Sequence, residues 1–586
     1  MKRFKYIVYA AMVATMPLYT SCGDEFLEKP AIGALSDDVL ANEAGVEKLL
    51  IGAYAALDGI DIGNWETDPS NWVYGSVAGG EAHKGSNGAD QPGINPIATF
   101  NIDPSNGFIN LKWRAMYEGI SRANSVLSIL PLAEDISDAE KQRIAGEARF
   151  LRGHYYFELK KMFNMVPWID ETTTEFNQPN NVDIWPNIEA DFQFAFDNLP
   201  NTQAEVGRAN KWAAASYLGK TYLYQHKYAD AKGMFDRVIS EGVTSNGLTY
   251  GLVDMFKNNF DASAENNKES IFAVQMVAND GTNTIANGNQ GQMLNFPYNS
   301  PFRCCGFYQP TLDLANSYQT TPQGLPLIDN YNADPLKNDQ GVTSDKAFVP
   351  DDQSVDPRLD WTVGRRGIPF LDWGLHPGQA WIREQSTAGP YSAKKFIYWQ
   401  ATAETFSDQS SWAPGSAINV LIIRFADVLL MAAEAEAQLG NLAQAQEYVD
   451  MVRARAAKPE NIVHTYVDPK EPLEGFTSQP AANYNIAPYP AGYFVGLGKD
   501  QALEAIYFER KLELALEGHR FFDLVRWGKA AEELNAFFDY EGAILPDVEG
   551  GFFTAGKNDY FPIPQRQIDL QTVGGESVLT QNPGYN

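Results

Sequence analysis

Three long stretches without a helical pattern carry most of the residues that could contact a ligand. They span 58–102, 244–315 and 319–419 and are rich in Gly, Pro, Asn and Trp. Flat aromatic rings can pack on the C–H faces of a sugar, while Asp, Asn and Arg bond to its hydroxyl groups. The first stretch supplies Asp58, Asp61, Asn64, Trp65, Trp72 and Tyr74. The third supplies Arg365, Arg366, Trp373, Trp381, Arg383, Tyr391, Tyr398 and Trp399. Large aromatic residues also fill protein cores, so burial is the competing interpretation of each.

The middle stretch contains the adjacent residues Cys304 and Cys305. Because the pair is adjacent, it excludes a disulfide framework between distant parts of the chain. The two residues can close on each other as a strained disulfide, or remain two free thiols. An oxidised pair would form a rigid, flat, apolar platform under a sugar ring, whereas a core position for both is the alternative. We include both cysteines among the candidate ligand contacts.

Sequence patterns of common catalytic and metal sites are missing. There is no His-Glu-x-x-His, no Gly-x-Ser-x-Gly and no Gly-rich loop ending in Lys-Ser/Thr. The six histidines stand at no interval typical of zinc ligands, and no EF-hand spacing supports calcium. We predict a protein that is not an enzyme and has no cofactor or metal. Two carboxylates about 5–10 Å apart can cleave a glycosidic bond without any motif, so a surface hydrolase stays an alternative.

The chain begins with the features of an export signal. Lys2, Arg3 and Lys5 precede an apolar run of about ten residues, half of the roughly 20 that span a bilayer. The following Leu-Tyr-Thr-Ser-Cys resembles a bacterial lipobox, in which cleavage leaves Cys22 as an acylated N-terminus. A signal cleaved without lipidation is the alternative. We expect residues 1–21 to be removed and the acyl chains to be the only membrane anchor.

The composition is strongly acidic. The formal net charge is −29, and residues 1–21 carry three positive and no negative charges, so their removal lowers it to −32. Such a surface repels nucleic acid and anionic lipid, which excludes both as partners.

Apolar residues at helical intervals predict a mainly α fold. Ile422–Ala437 has one apolar face, with Asp427 and Glu434 on another. A Gly-Asn stop signal and a second amphipathic helix at Leu442–Ala456 complete a hairpin, and Lys211–Ile239 repeats the design. Further helices are predicted at Asn42–Leu57, Phe108–Leu130, Asp138–Met162, Ile184–Leu199 and Ala502–Ala531, and a short strand at Ser270–Met276.

The hairpin at 211–239 has the spacing of a tetratricopeptide repeat. Gly219 and Ala231 allow its two helices to approach, and Tyr222 and Phe235 fill the groove between repeats. Because one hairpin cannot bury its apolar face alone, we expect several to stack into a superhelix. The predicted architecture is one compact unit in which this superhelix carries a second, irregular, loop-rich half with a few short strands.

Four motifs lie along the chain, at Arg149–Phe157 (RFLRGHYYF), Ile423–Ala435 (IRFADVLLMAAEA), Glu509–Gly528 (ERKLELALEGHRFFDLVRWG) and Tyr560–Pro564 (YFPIP), the last accompanied by QNPGY at 581–585. Through these motifs and the lipobox the chain resembles the SusD/RagB family of nutrient-uptake lipoproteins. The third motif is the most distinctive, and the resemblance covers essentially the whole chain after the signal. It divides the chain into an N-terminal region, 22–243, and a C-terminal region, 244–586, which holds the ligand-binding loops and further hairpins.

The resemblance implies a function as well as a fold. It implies a lipoprotein on the extracellular face of the outer membrane that works with a TonB-dependent, SusC-like barrel. The lipoprotein captures an oligosaccharide in its loop-built half and closes it over the barrel during polysaccharide utilisation. RagB-like relatives handle peptides, so peptide capture is the main alternative, and a scaffold whose loops bind nothing is another. The sequence leaves the glycan and its linkage open.

The charged residues of the third motif predict a structural network. Glu509, Glu513 and Glu517 share one helix face, and Arg510 can pair with acids of neighbouring helices. We interpret them, with Asp523, as buried ion pairs that hold the helices together and not as a carboxylate active site.

Overall fold

The computed structural model describes residues 37–60, 65–281, 292–408 and 415–585. The predicted signal peptide, Cys22 and Asn64 therefore lie outside the described residues. The helices are α1 (Asp37–Leu40), α2 (Glu43–Ala55), α3 (Asn95–Ala98), α4 (Gly107–Ile129), α5 (Asp138–Phe163), α6 (Trp185–Asn198), α7 (Lys211–Tyr224), α8 (Tyr228–Glu241), α9 (Leu312–Ser317), α10 (Leu359–Thr362), α11 (Gln385–Ala388), α12 (Ala403–Phe406), α13 (Phe425–Gln438), α14 (Leu442–Ala456), α15 (Tyr493–Leu497), α16 (Lys499–Glu513), α17 (Arg520–Arg526), α18 (Ala530–Glu541) and α19 (Gln565–Leu570).

The strands are short and pair two by two, always antiparallel. They are β1 (Ala82–Gly85) with β3 (Phe307–Pro310), β2 (Ser270–Val274) with β8 (Val420–Arg424), β4 (Val363–Gly364) with β5 (Ser392–Ala393), β6 (Ser407–Asp408) with β7 (Gly415–Ser416), β9 (His464–Tyr466) with β10 (Phe476–Pro480), and β11 (Thr572–Val573) with β12 (Glu576–Ser577). The mainly α class with a few short strands is confirmed.

The long helices form one continuous stack in which α2, α4, α5, α6, α7 and α8 pack in turn and α13, α14 and α16 continue the series. Helix α7 begins after Asn210, whose side-chain oxygen accepts the N–H groups of the first turn. Its Gly219 lies against Phe235 of α8, where a Cβ would come within 2.6 Å of the ring. The predicted small-against-large packing is therefore confirmed for this pair, while Tyr222 is only partly buried.

The charged network of the third motif is confirmed. Glu513 is fully buried and accepts hydrogen bonds from Arg358 at 2.8 Å, from Arg424 at 2.5 Å and from Arg455. Glu509 forms an ion pair with Arg358, with the nearest N and O atoms 2.7 Å apart. These ion pairs join α14, α16, β8 and the segment before α10, so they connect the helical frame to the loop-rich half.

Helix α13 is buried on both faces. Its apolar face packs into the stack, and Asp427 and Glu434 are also buried, paired with Arg510 at 2.8 Å and with Arg526 at 2.6 Å. The charged face therefore lies against other helices of the frame, which explains why the motif combines acids with so many alanines.

Two predicted helices have different bounds. The helix expected from Ile422 begins at Phe425, because the preceding β-branched residues form β8 against β2. The helix expected over 502–531 is divided into α16, α17 and the start of α18. The break follows from contacts with the first stretch: Leu516 N–H donates to Glu81 at 3.1 Å, and Gly518 N–H donates to Ser76 at 3.1 Å. The helical spacing of apolar residues continues across this break and therefore predicted a single helix. The chain departs from the helix there to form these two hydrogen bonds.

No helix in the part of the chain that the structure describes is both long and apolar enough to cross a membrane.

Candidate ligand-binding face

The three predicted stretches meet around residues 292–308. Gln292 N–H donates to Asp68 of the first stretch at 2.8 Å, and β3 of the middle stretch pairs with β1. From the third stretch, Arg383 donates to Asp90 at 2.6 Å and to Ser86 at 2.7 Å. The loops that the sequence left separate therefore form one surface, which we call the loop face: Tyr298–Cys305 together with Trp373, Trp381 and Arg383.

Cys304 and Cys305 form a disulfide across a cis peptide bond at the centre of the loop face. Cys304 is partly buried and Cys305 is 7% exposed. The carbonyl of Phe296 accepts the N–H groups of Cys305 at 3.1 Å and of Gly306 at 2.8 Å. Gly306 has a positive φ of 79°, and a Cβ there would lie 2.8 Å from Tyr298. The turn that presents the cysteine pair is thus fixed by its own backbone.

An aromatic cluster forms around Phe302, two residues before Cys304 in the chain. Phe302 packs against Trp373 with ring centroids 4.6 Å apart, and against Tyr398 at 5.5 Å. Trp373 Nε1–H donates to the Tyr398 carbonyl at 2.8 Å, which fixes the indole. Trp373 is only partly buried, whereas Tyr398 is 3% exposed. The cluster therefore holds a partly exposed indole in place, packed against Phe302 and Tyr398.

Four predicted aromatic contacts are buried and lack the exposed surface that ring stacking needs: Trp72, Tyr74, Tyr391 and the Tyr398 just described. Trp72 is 1% exposed and packs against Phe307 and Tyr308, while Tyr391 is 2% exposed. Tyr74 is 1% exposed, and its hydroxyl donates to two backbone carbonyls at 2.8 and 2.9 Å. Their predicted role as contacts does not fit this burial, since all four belong to the hydrophobic core.

Arg366 is also structural. Its guanidinium donates to four backbone carbonyls within 342–346 and lies 3.7 Å from Asp339. Because all these partners belong to one loop, Arg366 holds that loop in shape.

Asp58 and Trp65 lie at the edge of the first stretch, and both are partly buried. One carboxylate oxygen of Asp58 has no hydrogen-bond partner in the described part of the chain. Burial, reinforced by the nearby charge of Asp68, raises the pKa of Asp58 to about 7. That oxygen is buried, so the structure does not expose it to a ligand, and the role of Asp58 and Trp65 as contacts stays a prediction.

The raised pKa of Asp58 predicts a pH-dependent stability. The usual value is about 3.9, so between roughly pH 4 and 7 the folded protein binds a proton that the unfolded chain has lost. The free energy of unfolding therefore falls as the pH rises through this range. We expect Asp58→Asn, which cannot ionise, to be more stable than wild type at pH 8 by about 1–3 kcal/mol and equal to it below pH 4. Thermal unfolding at several pH values measures this, and parallel profiles for the two proteins would contradict it.

Three exposed or partly exposed residues of the loop face were not among the sequence candidates. Asn299 and Arg303 are exposed, and Tyr298 is partly buried with the Arg383 guanidinium 5.1 Å from its ring centre. All three belong to the turn immediately before Cys305. Their position next to the cysteine pair in the sequence was the feature that could have identified them as candidates.

The loop face combines apolar and hydrogen-bonding side chains. Among the residues that the structure describes, no three His, Cys, Asp or Glu side chains are grouped so as to hold a metal ion. An apolar disulfide and an indole edge lie beside planar hydrogen-bonding groups of Asn299, Arg303 and Arg383. This combination suits a ligand with flat apolar patches and a rim of hydroxyl groups.

The fold places this chain among the helical-repeat proteins. Its helices form a tetratricopeptide-like frame, and the candidate site lies on the loops that this frame carries. The chain belongs to the SusD family, because the profile of that family matches residues 268–585. A second profile, described as "Starch-binding associating with outer membrane", matches residues 26–223. The family predicted from the four motifs is thus confirmed.

Individual relatives align with nearly the full length of this chain. A SusD-like protein from Formosa agariphila is 24% identical, with 100% of both chains covered. The solved structure of a laminarin binding SusD-like protein is 26% identical with a TM-score of 0.64, covering 93% of this chain and all of that one. A SusD superfamily protein from Bacteroides vulgatus is 22% identical with a TM-score of 0.67, covering 93% of this chain and 99% of that one.

Proposed function

We propose that the chain is a cell-surface glycan-binding protein that delivers oligosaccharides to a TonB-dependent, SusC-like outer-membrane transporter and does not cleave them. The observation that carries the proposal is the loop face, where the disulfide and the partly exposed Trp373 lie beside three hydrogen-bonding side chains. A structural relative at 26% identity is described as laminarin binding, which supports a glycan ligand.

Binding would use two kinds of contact. The C–H face of a sugar ring would lie on the disulfide and the Trp373 edge, which are held rigid and therefore lose little entropy on binding. Arg303, Asn299 and Arg383 would bond to the hydroxyl groups at the rim. Because only a few rings can contact so small a face, we expect modest affinity for the isolated protein and further contacts when the barrel is present.

The proposed lipid anchor and the proposed transporter partner are supported by the sequence. Cys22 in its lipobox supplies the acyl anchor, and the description of the profile matched by residues 26–223 supports an outer-membrane location. The helical frame would then dock on the barrel and present the loop face to it.

Calorimetric titration of the soluble protein with oligosaccharide and peptide panels tests the proposal. We expect saturable binding of at least one glycan series, including laminarin-type oligosaccharides, and no binding of peptides. Saturable peptide binding without any glycan binding would overturn it in favour of peptide uptake. The same mixtures should show no new reducing ends after prolonged incubation, since new ends would identify a hydrolase.

The disulfide makes a separate prediction about reductant. If the oxidised pair is the platform, dithiothreitol or the double replacement Cys304→Ser and Cys305→Ser should weaken glycan binding roughly tenfold, about 1.4 kcal/mol. Wild-type protein titrated before and after reduction measures the change, with far-ultraviolet circular dichroism as the control for folding. Equal affinities in all three samples would remove the cysteine pair from the site.

A further inference from the structure

A cavity of about 650 Å³ lies where the helical frame meets the third stretch. It is lined by α16, α17, α18, the segment 328–333 and Gly79–Gly80 of the first stretch. None of the described residues that line it belongs to the loop face. Its volume falls within the roughly 300–1,000 Å³ of small-ligand pockets, so the cavity is large enough to hold a ligand of its own.

Two stacked aromatic rings supply an apolar surface in this cavity. Tyr507 of α16 and Trp527 stack with ring centroids 3.9 Å apart and an angle of 20° between their planes. Trp527 Nε1–H donates to Glu434 at 3.1 Å, which fixes the indole. Both rings line the cavity and are only partly buried, so part of the stack is accessible from it. The C–H face of a sugar ring can pack on a surface of this kind.

Arg520 of α17 brings hydrogen-bond donors to the cavity that the protein itself does not use. Its side chain is only 8% exposed, and its one hydrogen bond within the described part of the chain joins Nη2 to Glu533 at 3.1 Å. By contrast, all three guanidinium nitrogens of the buried Arg424 donate hydrogen bonds to acids or carbonyls. Unused donors are costly to bury without a partner. Because Arg520 lines the cavity, its Nε and Nη1 groups can bond to a ligand there.

The charges that line the cavity define the class of ligand. Each cationic side chain of the lining already pairs with an acid: Lys511 with Asp313 at 2.7 Å, Arg520 with Glu533 at 3.1 Å, and Lys529 with Glu504 at 2.9 Å. Asp329 and Glu532 add two more acids, so the lining carries five negative and three positive charges. This balance repels an anionic ligand. The exposed amide of Asn330 and the free donors of Arg520 suit a neutral ligand with hydroxyl groups.

We propose that this cavity is a second binding site for neutral oligosaccharides, with a sugar ring against Tyr507 and Trp527 and hydroxyl groups bonded to Arg520 and Asn330. The inference rests on the proposed function, because it assigns the cavity the same class of ligand as the loop face. Two sites on one chain can hold two segments of one polysaccharide, so that the second segment binds at a raised effective concentration. The protein would then bind a polysaccharide more tightly than a short oligosaccharide that reaches only one site.

Hydrogen exchange with and without neutral oligosaccharides, laminarin-type ones among them, reports both sites in one measurement. At an oligosaccharide concentration about ten times the dissociation constant of the cavity, we expect amides 328–333 to exchange about tenfold more slowly, because ligand-free protein becomes rare. Amides 298–305 report the loop face in the same samples. Ala536→Trp should remove the protection of 328–333 and keep that of 298–305, because Ala536 is an exposed residue of the lining and a large side chain there fills the cavity. Asp539→Trp, exposed on the same helix but outside the lining, is the matched control and should keep both.

The outcomes separate this inference from the proposed function. Protection of 298–305 alone would overturn the second site and leave the loop face as the glycan site. Protection of 328–333 that survives Ala536→Trp would also overturn it, because the effect would then be transmitted from a ligand bound elsewhere. If no oligosaccharide protects either segment, the proposed function fails and this site fails with it. Protection of 328–333 by peptides of the titration panel, and not by oligosaccharides, would make the cavity a peptide site instead.

Discussion

Replacing Glu513 by Gln will destabilise the protein by about 3–5 kcal/mol, or prevent folding altogether. Burial alone would raise the pKa of Glu513, but Arg455, Arg424 and Arg358 hold it well below its usual range, so the side chain is charged in the fold. The substitution removes the shared negative partner of three buried guanidinium groups. Because these groups connect the helical frame to the loop-rich half, we expect both halves to unfold together.

Urea unfolding measures this effect, with Glu118→Gln as the control. Glu118 forms an exposed pair with Arg122 at 2.9 Å on the surface of α4, and pairs of this kind contribute less than about 1 kcal/mol. A Glu513→Gln protein that unfolds at the wild-type urea concentration would contradict the structural role of the network.

Replacing Trp373 by Ala will lower glycan affinity at least tenfold, about 1.4 kcal/mol or more. The substitution removes the indole edge of the loop face and leaves Phe302 without its neighbour. Some loss of stability is expected too, since the ring packs against Phe302 and Tyr398. Trp373→Phe keeps an aromatic ring and should retain most of the affinity.

The matched control is Trp185→Ala on the helical frame. Trp185 is also partly buried and packs against Phe157 and Tyr224, far along the chain from the loop face. We expect it to lower the unfolding temperature and leave glycan affinity unchanged. Equal losses of affinity in the two variants would mean that general destabilisation, and not lost stacking, explains the Trp373 result.

Local patterns were sufficient to predict the helical frame. Apolar residues at helical spacing gave the bounds of α14 as observed and those of α4 and α5 to within one residue. The contact between Gly219 and Phe235 could be predicted from the tetratricopeptide spacing, because the two residues are close along the chain. The errors at Ile422 and within 502–531 arose where a distant segment, β2 or the first stretch, offered hydrogen bonds that a helix could not.

The loop face could be predicted only in outline, for a related reason. Trp72, Tyr74 and Tyr391 have the residue types of sugar contacts, yet the same types fill cores, and long-range packing decides which role each takes. Trp72 is covered by Phe307 and Tyr308, more than 200 positions away. Conversely, Arg303 and Asn299 are ordinary polar residues whose position becomes significant only once the turn before Cys305 is in place.

Contacts within the chain hold both the helical frame and the backbone of the loop face in place. Buried ion pairs and stacked hairpins fix the frame, and the paired strands β1 and β3 carry that rigidity to the edge of the loop face. The Arg383 bonds to Asp90 and Ser86 then join the third stretch to the first. The loop backbone is thus held in place before any ligand arrives, which would reduce the entropy lost in the proposed binding.

A crystal structure of the protein with a bound oligosaccharide from the titration panel tests the central claim most directly. We expect a sugar ring against the disulfide and the Trp373 edge, with hydroxyl groups bonded to Asn299, Arg303 or Arg383. A well-ordered oligosaccharide bound elsewhere, with the loop face empty, would contradict the assignment of this surface.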